Sequence, residues 1–351
     1  MKWIRDIIAG LDAYVPGKQV DTPVVKLNAN ENPYPPSPAV LAVIARCGTE
    51  LCRLYPDALA TRLRQTAAEQ YGVDPARVIA GNGSDDILTM IMRAFLDPGD
   101  RIAVVDPTYT LYQTLAAMQA ADTEVYPLDE SFGLPEAFFD ARTKLTLLPN
   151  PNAQTGTLFS REQIMRLCET RDGLVVIDEA YAPFAGATVI DLLPRYENLI
   201  VTRTLSKSHS LAGLRVGFGL AAPEIISALM KVKDSYNVNA VSQAAGIAAL
   251  RDEAYTRRTV QAIRTTLADF TAALRQRDWQ VLDSSANFVL CKPPGGSAAE
   301  IVKLLETRGC LVRYFDTPRL APYIRISIGT DQQMQELLHC IDQYCMHLLT
   351  P

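Results

Sequence analysis

The sequence predicts an α/β protein, with a mostly parallel central sheet in a large domain and a smaller α+β domain after it. Three observations carry that reading. Between residues 75 and 230, short apolar runs alternate with longer helical patterns. The apolar runs are mostly closed by Gly, Pro, Asp or Asn. Past residue 240 a long helical pattern rich in Arg and Glu takes over, and separate strand-like pieces follow it. Alternating units of this kind imply crossover connections and parallel strands covered by helices on both faces.

In chain order, the opening stretch MKWIRDIIAGLDAYVPG sets Trp3, Ile4, Ile7, Ile8 and Leu11 at helical spacing, as in a short amphipathic helix that packs on the protein's own body or on a second subunit. Asp6 and Asp12 interrupt the apolar core that a secretory signal requires. Residues 15–38, rich in Pro and Asn, read as an extended arm. Strands are expected at RVIA (77–80), RIAVVD (101–106), KLTLLP (144–149), GLVVID (173–178) and NLIVTRT (198–204), each brief and β-branched or leucine-rich. Helices are expected at 85–96, 161–170 and 223–236; Pro223 suits a first turn, and Asp97-Pro98-Gly99 a helix stop. In the smaller domain, ANFVLC (286–291) and YIRISIG (323–329) read as strands, with helices between them and a terminal helix after.

Composition excludes several classes of function. A net charge of −5 provides no basic field for a nucleic-acid backbone. No apolar run reaches the roughly eighteen residues of a membrane span. Seven scattered cysteines, without a C-x-x-C pair, fit reduced thiols in a cytoplasmic protein. Three histidines, none at ligand spacing with cysteines or carboxylates, predict no metal site.

The residues that follow the expected strands are the candidates for chemistry, because ligands of open parallel sheets bind at the strands' carboxyl ends. GNGSDD (81–86) is a glycine-rich turn running into a helix, with Ser84 a good N-cap; bare N–H groups there suit a phosphate, although a plain strand-to-helix turn has the same composition. DEAY ends a buried strand with Asp178, a carboxylate that needs a cation or a cap, and Tyr181 follows it. TLSKSHSLAGLRVGFG (204–219) sets Thr204, Ser206, Lys207 and Arg215 among small residues. Singly, each fits a structural ion pair or a snorkelling side chain. Together, a phosphate cradle, an acid, a lysine and an arginine at converging strand ends are what pyridoxal phosphate requires: a lysine for its Schiff base, an anion for its ring nitrogen and a strong phosphate site.

Over essentially its whole length the chain resembles the fold-type-I pyridoxal-phosphate aminotransferases, in the branch that acts on histidinol phosphate. The markers, in order, are YVPG (14–17), LNANENPYPPSP (27–38), YPD (55–57), GNGSDD, PTYTLY (107–112), NPNAQTG (150–156), DEAY, TLSKSHSLAGLRVGFG, VRYF (312–315) and RISIGT (325–330). The resemblance implies an N-terminal helix and arm over 1–38 that belongs with the small domain and a dimer contact, a cofactor-binding domain over 39–240, and a small C-terminal domain over 241–351. It implies an obligate homodimer with shared sites, and transfer of an amino group from L-histidinol phosphate to 2-oxoglutarate.

The same resemblance assigns roles to positions. Lys207 is the Schiff-base lysine and proton shuttle. Asp178 pairs with the ring nitrogen, and Tyr181 donates to the ring's 3-oxygen. Gly83, Ser84, Asp85, Thr204, Ser206 and Arg215 form the phosphate side, Tyr109 stacks on the ring, and Tyr55 reaches the phosphate in the neighbouring subunit. Arg325, with Arg313, holds the substrate carboxylate, and Tyr14 and Asn30 complete the pocket. Outward-facing arginine is the alternative for Arg325, since strand alternation opposes it to Ile324 and Ile326. The family usually reads Asn-Pro-Thr-Gly where this chain has Ala153-Gln154-Thr155-Gly156; Asn152, or Asn150, is the expected substitute for the missing amide. His209 reads either as an acid/base helper or as packing. Two other functions remain open at this point. One is a related enzyme that transaminates an aromatic amino acid, or transaminates or decarboxylates a phosphorylated one. The other is a cofactor-binding regulator or scaffold, against which stand an intact lysine and the lack of a winged-helix segment or basic linker before residue 15.

Overall fold

A computed structural model of the chain describes residues 3–11 and 24–345. Its strands, numbered in chain order, are β1 (Val25–Lys26), β2 (Val78–Gly81), β3 (Arg101–Asp106), β4 (Asp122–Pro127), β5 (Leu145–Pro149), β6 (Leu174–Asp178), β7 (Leu199–Thr204), β8 (Gly217–Leu220), β9 (Gln280–Val281), β10 (Phe288–Lys292), β11 (Cys310–Leu311), β12 (Arg313–Tyr314) and β13 (Ile324–Ser327). Seven of them form one sheet in the order β2-β8-β7-β6-β5-β3-β4. The run from β7 to β4 is parallel throughout. Strand β8 opposes both of its neighbours, so β2 returns to the common direction. The carboxyl ends of β2, β3, β5, β6 and β7 therefore open along one edge, where a ligand would sit.

Burial on both faces explains why these strands read as continuous apolar runs. On one side Ala103, Val105, Val175, Ile177, Leu199 and Val201 join a core with Leu63, Leu167 and Phe218. On the other, Ile102, Val104, Leu145, Leu147, Val176 and Ile200 pack against Ile87, Ile91 and Tyr112. The helices on these faces match expectation closely: Ser84–Phe95 and Arg161–Thr170 fall within a residue of it, the second closed at its start by a Ser160/Gln163 capping box. The helix expected to reach residue 236 ends at Val232, where Lys233 turns extended and its ammonium collects the carbonyls of Ala58, Asp234 and Ser235.

Strands β4 and β8 go beyond the expectation. Strand β4, DTEVYP, is a half-exposed sheet edge with little apolar signal. Strand β8, GFGL, is half glycine, and its glycines are there for close approach: a Cβ on Gly217 would lie 2.4 Å from the backbone of Gly83 and Ser84.

The C-terminal part carries a four-stranded antiparallel sheet, β12-β13-β10-β9, over a third core that includes Phe288, Ile301, Ile324, Ile326 and Leu337. The arm is sewn into this part. Strand β1 pairs in parallel with β11, and Leu27 accepts from the Ser327 amide at 2.9 Å. Near the start, Asp6–Ala9 form a short helix, with Trp3, Ile4 and Ile8 exposed. No described helix is long and apolar enough to cross a membrane, and no group of three or more potential metal ligands occurs among the described residues.

Candidate active site

At the edge where the parallel strands end, the turn after β2 bends back on itself. Gly83 adopts φ 87° and ψ 169° and begins the helix Ser84–Phe95 without a side-chain cap. A helix start of this kind presents unsatisfied N–H groups and the positive end of the dipole. Facing it is Arg215, itself at φ 52°. Its Nη1 donates to Ser206 Oγ at 3.2 Å, and its Nη2 pairs with Asp85 Oδ2 at 3.0 Å. Thr204 Oγ1 lies 2.9 Å from Ser206 Oγ, and Tyr109 donates to Asp85 Oδ1 at 3.1 Å. A cavity of about 450 Å³ lined by Asn82, Asp85, Tyr109, Arg215 and Asn237 opens beside this group.

Strand β6 ends at one carboxylate and a second follows it directly, with opposite surroundings. Asp178 is buried and accepts from Tyr112 Oη (2.8 Å), Thr202 Oγ1 (2.9 Å) and the Ala180 amide (3.2 Å), all neutral donors. Loss of water holds its carboxyl above the usual carboxylate range, against the pull of those hydrogen bonds. Glu179, equally buried, faces Arg203 Nε at 2.9 Å and accepts from Thr188 and the Val189 amide. The structural ion pair that a strand-end acid calls for is made by Glu179, one residue away from Asp178.

Lys207 lies just past β7. Its Nζ donates to the Ala29 carbonyl at 3.2 Å and stands 5.9 Å from the Tyr181 ring centre. The Tyr181 hydroxyl accepts from Asn30 Nδ2 at 2.8 Å, which directs the phenol's own proton elsewhere. Asn30 sits at φ 53° and is pinned by Ser327 and Asn287. Asn32 Nδ2 bonds the Lys207 and Ser208 carbonyls. Only its place in the arm's NENP stretch signals that role in sequence. His209 is bonded through Nδ1 to Ser208 Oγ, and lost hydration together with Arg203 lowers its pKa to about 4. It is therefore neutral at neutral pH.

Across the site, β13 turns Arg325 away from the buried Ile324 and Ile326 and lays its guanidinium between the Phe288 and Phe315 rings, 5.2 and 5.1 Å from their centres. Arg313, its register partner on β12, stacks on Phe315. Arg325 Nη1 donates to the carbonyls of Ala153 (3.0 Å) and the Gln154 side chain (2.9 Å). Gln154 is a site residue that sequence reasoning passed over. Asn152, the expected substitute for the missing amide, is spent on backbone: Nδ2 donates to the Pro107 carbonyl in the loop after β3, while Oδ1 accepts from the Gln154 and Thr155 amides of its own loop. Asn150 is used likewise on Phe159. Tyr55 stands apart from these residues, 81% exposed and stacked on Tyr236 at 4.4 Å. Tyr14 lies outside the described residues.

The donor set fits pyridoxal phosphate. A Cβ on Gly83 would stand 2.4 Å from Arg215 Nη2, so the turn is shaped for backbone N–H groups to approach an anion that the arginine also reaches. A buried acid, an amine and a phenol with a directed proton share the same sheet edge.

Residues 22–341 match the family model for class I and II aminotransferases. The histidinol-phosphate aminotransferase of Microcystis aeruginosa is 44% identical over 340 residues, 97% of each chain. That of Citrifermentans bemidjiense is 45% identical over 344 residues, covering 96% of this chain and 97% of its own. Among solved structures, histidinol-phosphate aminotransferase from Sinorhizobium meliloti in complex with pyridoxal-5'-phosphate superposes with a TM-score of 0.88 at 26% identity, over 97% of this chain and 96% of that one.

Proposed function

The chain belongs to the class I and II aminotransferases, and from that premise we propose that it uses pyridoxal phosphate to move the amino group of L-histidinol phosphate to 2-oxoglutarate, giving imidazole-acetol phosphate and L-glutamate in histidine biosynthesis. Relatives of that name match it nearly end to end. Within the site, the observation that carries the reading is Asp178: a buried carboxylate with only neutral donors, at the sheet edge that also holds Lys207 and the phosphate cradle.

When bound, pyridoxal phosphate supplies an aldehyde that captures amines and a ring that takes up the electron pair left at Cα. The chain's own residues do the rest. Arg215, Ser206, Thr204 and the N–H groups at Ser84 and Asp85 would hold the phosphate, the Gly83 N–H being turned to the Gly81 carbonyl, and Tyr109 would cover the ring. Asp178 keeps a proton on the ring nitrogen by offering it an anion. Tyr181 donates to the ring oxygen, because the Asn30 amide occupies its acceptor side. Lys207 Nζ, freed once a substrate amine takes its place, would carry the proton between the substrate's Cα and the cofactor's aldehyde carbon, in one direction in the first half-reaction and in the other in the second. Arg325, aided by Arg313, takes a carboxylate or a phosphate, since a guanidinium fork suits both.

The same reading includes a cytoplasmic homodimer, with the arm and residues 241–351 forming a small domain beside a cofactor domain over 39–240. Tyr55 and the neighbouring Leu51, Leu54 and Leu59 are exposed in one subunit, and a second copy would cover them, bringing Tyr55 to the partner's phosphate site.

The test is a single-turnover spectrum. Cofactor-loaded protein mixed with L-histidinol phosphate loses the visible absorbance of the lysine-bound cofactor, and 2-oxoglutarate restores it. Lys207→Ala has neither that absorbance nor turnover. A protein that ignores histidinol phosphate but responds to an aromatic amine refutes the donor and leaves the fold and cofactor standing.

A further inference from the structure

We propose that Gln154 is a positioning residue for substrate binding: its side-chain carbonyl, with the Ala153 carbonyl, sets the guanidinium of Arg325 in the orientation that receives the substrate's anionic group. This rests on the reading of Arg325 as the anion-binding residue and adds to it the element that aims it.

The two aromatic faces around Arg325 fix the plane of the fork. Stacking is tolerant of sliding within that plane, because a ring face offers no directional partner. Two carbonyl oxygens on one nitrogen, Nη1, at 3.0 and 2.9 Å remove that freedom. A fork held this way presents its other nitrogens in one direction, so less orientational freedom is lost when an anion binds.

The Gln154 amide is itself unambiguous in orientation. It is buried, its Oε1 faces a guanidinium, and its Nε2 faces the Thr108 carbonyl at 3.2 Å. Reversing it would bring donor against donor and acceptor against acceptor. Through Thr108 it also ties the aim of Arg325 to the residue before Tyr109.

The loop does not need this side chain to hold its shape. Asn152 Oδ1 caps the turn, Asn152 N bonds Thr157 O, Gly156 N bonds Asn152 O, and Asn150 anchors Phe159. A buried amide is costly to place without partners. Its two bonds here run from the turn to Arg325 and to Thr108, and neither closes the turn.

The experiment is steady-state kinetics of the cofactor-loaded enzyme with 2-oxoglutarate and L-histidinol phosphate, comparing Gln154→Met, Gln154→Glu, Arg325→Lys and the Gln154→Met/Arg325→Lys pair. Met keeps the length and replaces the carbonyl with a weakly accepting thioether. Its KM for 2-oxoglutarate rises about tenfold, while kcat falls by less. Glu keeps the shape but pairs with Arg325 in competition with the substrate, so its KM rises further, and this variant decides the matter if Gln154→Met fails to fold. The double variant is no worse than Arg325→Lys, since a lysine has no fork to aim. A raised KM in Arg325→Lys with an unchanged KM in folded Gln154→Met, or in Gln154→Glu, overturns the role of Gln154 and leaves that of Arg325 intact. An unchanged KM in Arg325→Lys overturns the reading of Arg325, and the proposal with it.

Discussion

Replacing Gly83 by alanine tests the phosphate cradle, because two independent costs meet at one atom. The backbone at φ 87° and ψ 169° lies in a region that is essentially glycine's alone, and an L-residue there costs about 1–3 kcal/mol. The new Cβ would also stand 2.4 Å from Arg215 Nη2 and 2.9 Å from its Cζ, so the guanidinium must move. That breaks its bond to Ser206 and its pair with Asp85. The pair is 39% and 41% exposed on its two sides, which limits it to about 1 kcal/mol. The total is about 2–4 kcal/mol, or roughly 30- to 900-fold in an equilibrium constant. If the turn keeps its shape, the loss appears as apoprotein stability; if it relaxes, it appears as cofactor affinity. The assay therefore sums both, from thermal unfolding of the apoprotein and titration with pyridoxal phosphate followed by absorbance. Gly213→Ala is the control, since nothing lies within 4 Å of a Cβ there, and it stays within about 0.5 kcal/mol of wild type. A Gly83→Ala protein within that same margin on both measurements refutes the argument.

Two further outcomes concern the end of β6. Burial raises the Asp178 carboxyl, so the native apoprotein holds that proton more tightly than the unfolded chain does. Its contribution is complete at pH values below the unfolded carboxylate range, near 4, and is lost as pH climbs through the raised native value. Apoprotein stability of wild type minus that of Asp178→Asn therefore falls as pH rises above about 4; a difference that stays flat or rises in chemical denaturation runs contradicts this. Glu179→Gln leaves the Arg203 guanidinium buried without its anion and destabilises the protein by about 3–5 kcal/mol, read as a lowered midpoint in urea. A change below about 1 kcal/mol would mean that the pair is solvated.

How much was legible in the sequence depended on whether a residue acts where its own segment puts it. Strands β3, β5, β6 and β7 were readable because burial on both faces demands uninterrupted apolar runs. Lys207, Asp178, Arg215 and Gly83 were readable because the ends of parallel strands gather on one edge whatever the details of packing. Strand β8 escaped notice because its glycines answer to distant neighbours and not to a local period: Gly217 to the backbone of Gly83, 134 positions away, and Gly219 to the Ile79 and Ile87 side chains. The arm's Asn32 and the loop's Gln154 escaped for the same reason: the first bonds Lys207 and Ser208, the second bonds Thr108 and Arg325, and no local pattern encodes such distant partners. Asn152 is the opposite case, an amide of the right type in almost the right place whose bonds are taken by backbone groups, the Pro107 carbonyl after β3 and the Gln154 and Thr155 amides of its own loop.

The adjacent acids of DEAY show why both sequence-level accounts of a strand-end carboxylate were needed. The chain gives its buried cation, Arg203, to Glu179, and surrounds Asp178 with hydroxyls and one amide. Hydroxyl and amide donors orient a carboxylate and lower the cost of its charge, but they do not neutralise it, and burial still holds its pKa up. A protonated ring nitrogen would supply the missing positive charge. Linkage then works both ways: a cation that binds beside Asp178 draws its proton affinity down, and the ionised Asp178 raises the proton affinity of that cation by the same free energy. Had Arg203 faced Asp178 instead, the acid would already be satisfied, and a cationic ring would gain little from it. On the proposed role of Asp178, the exclusion of Arg203 would be as much a part of the cofactor site as the carboxylate itself.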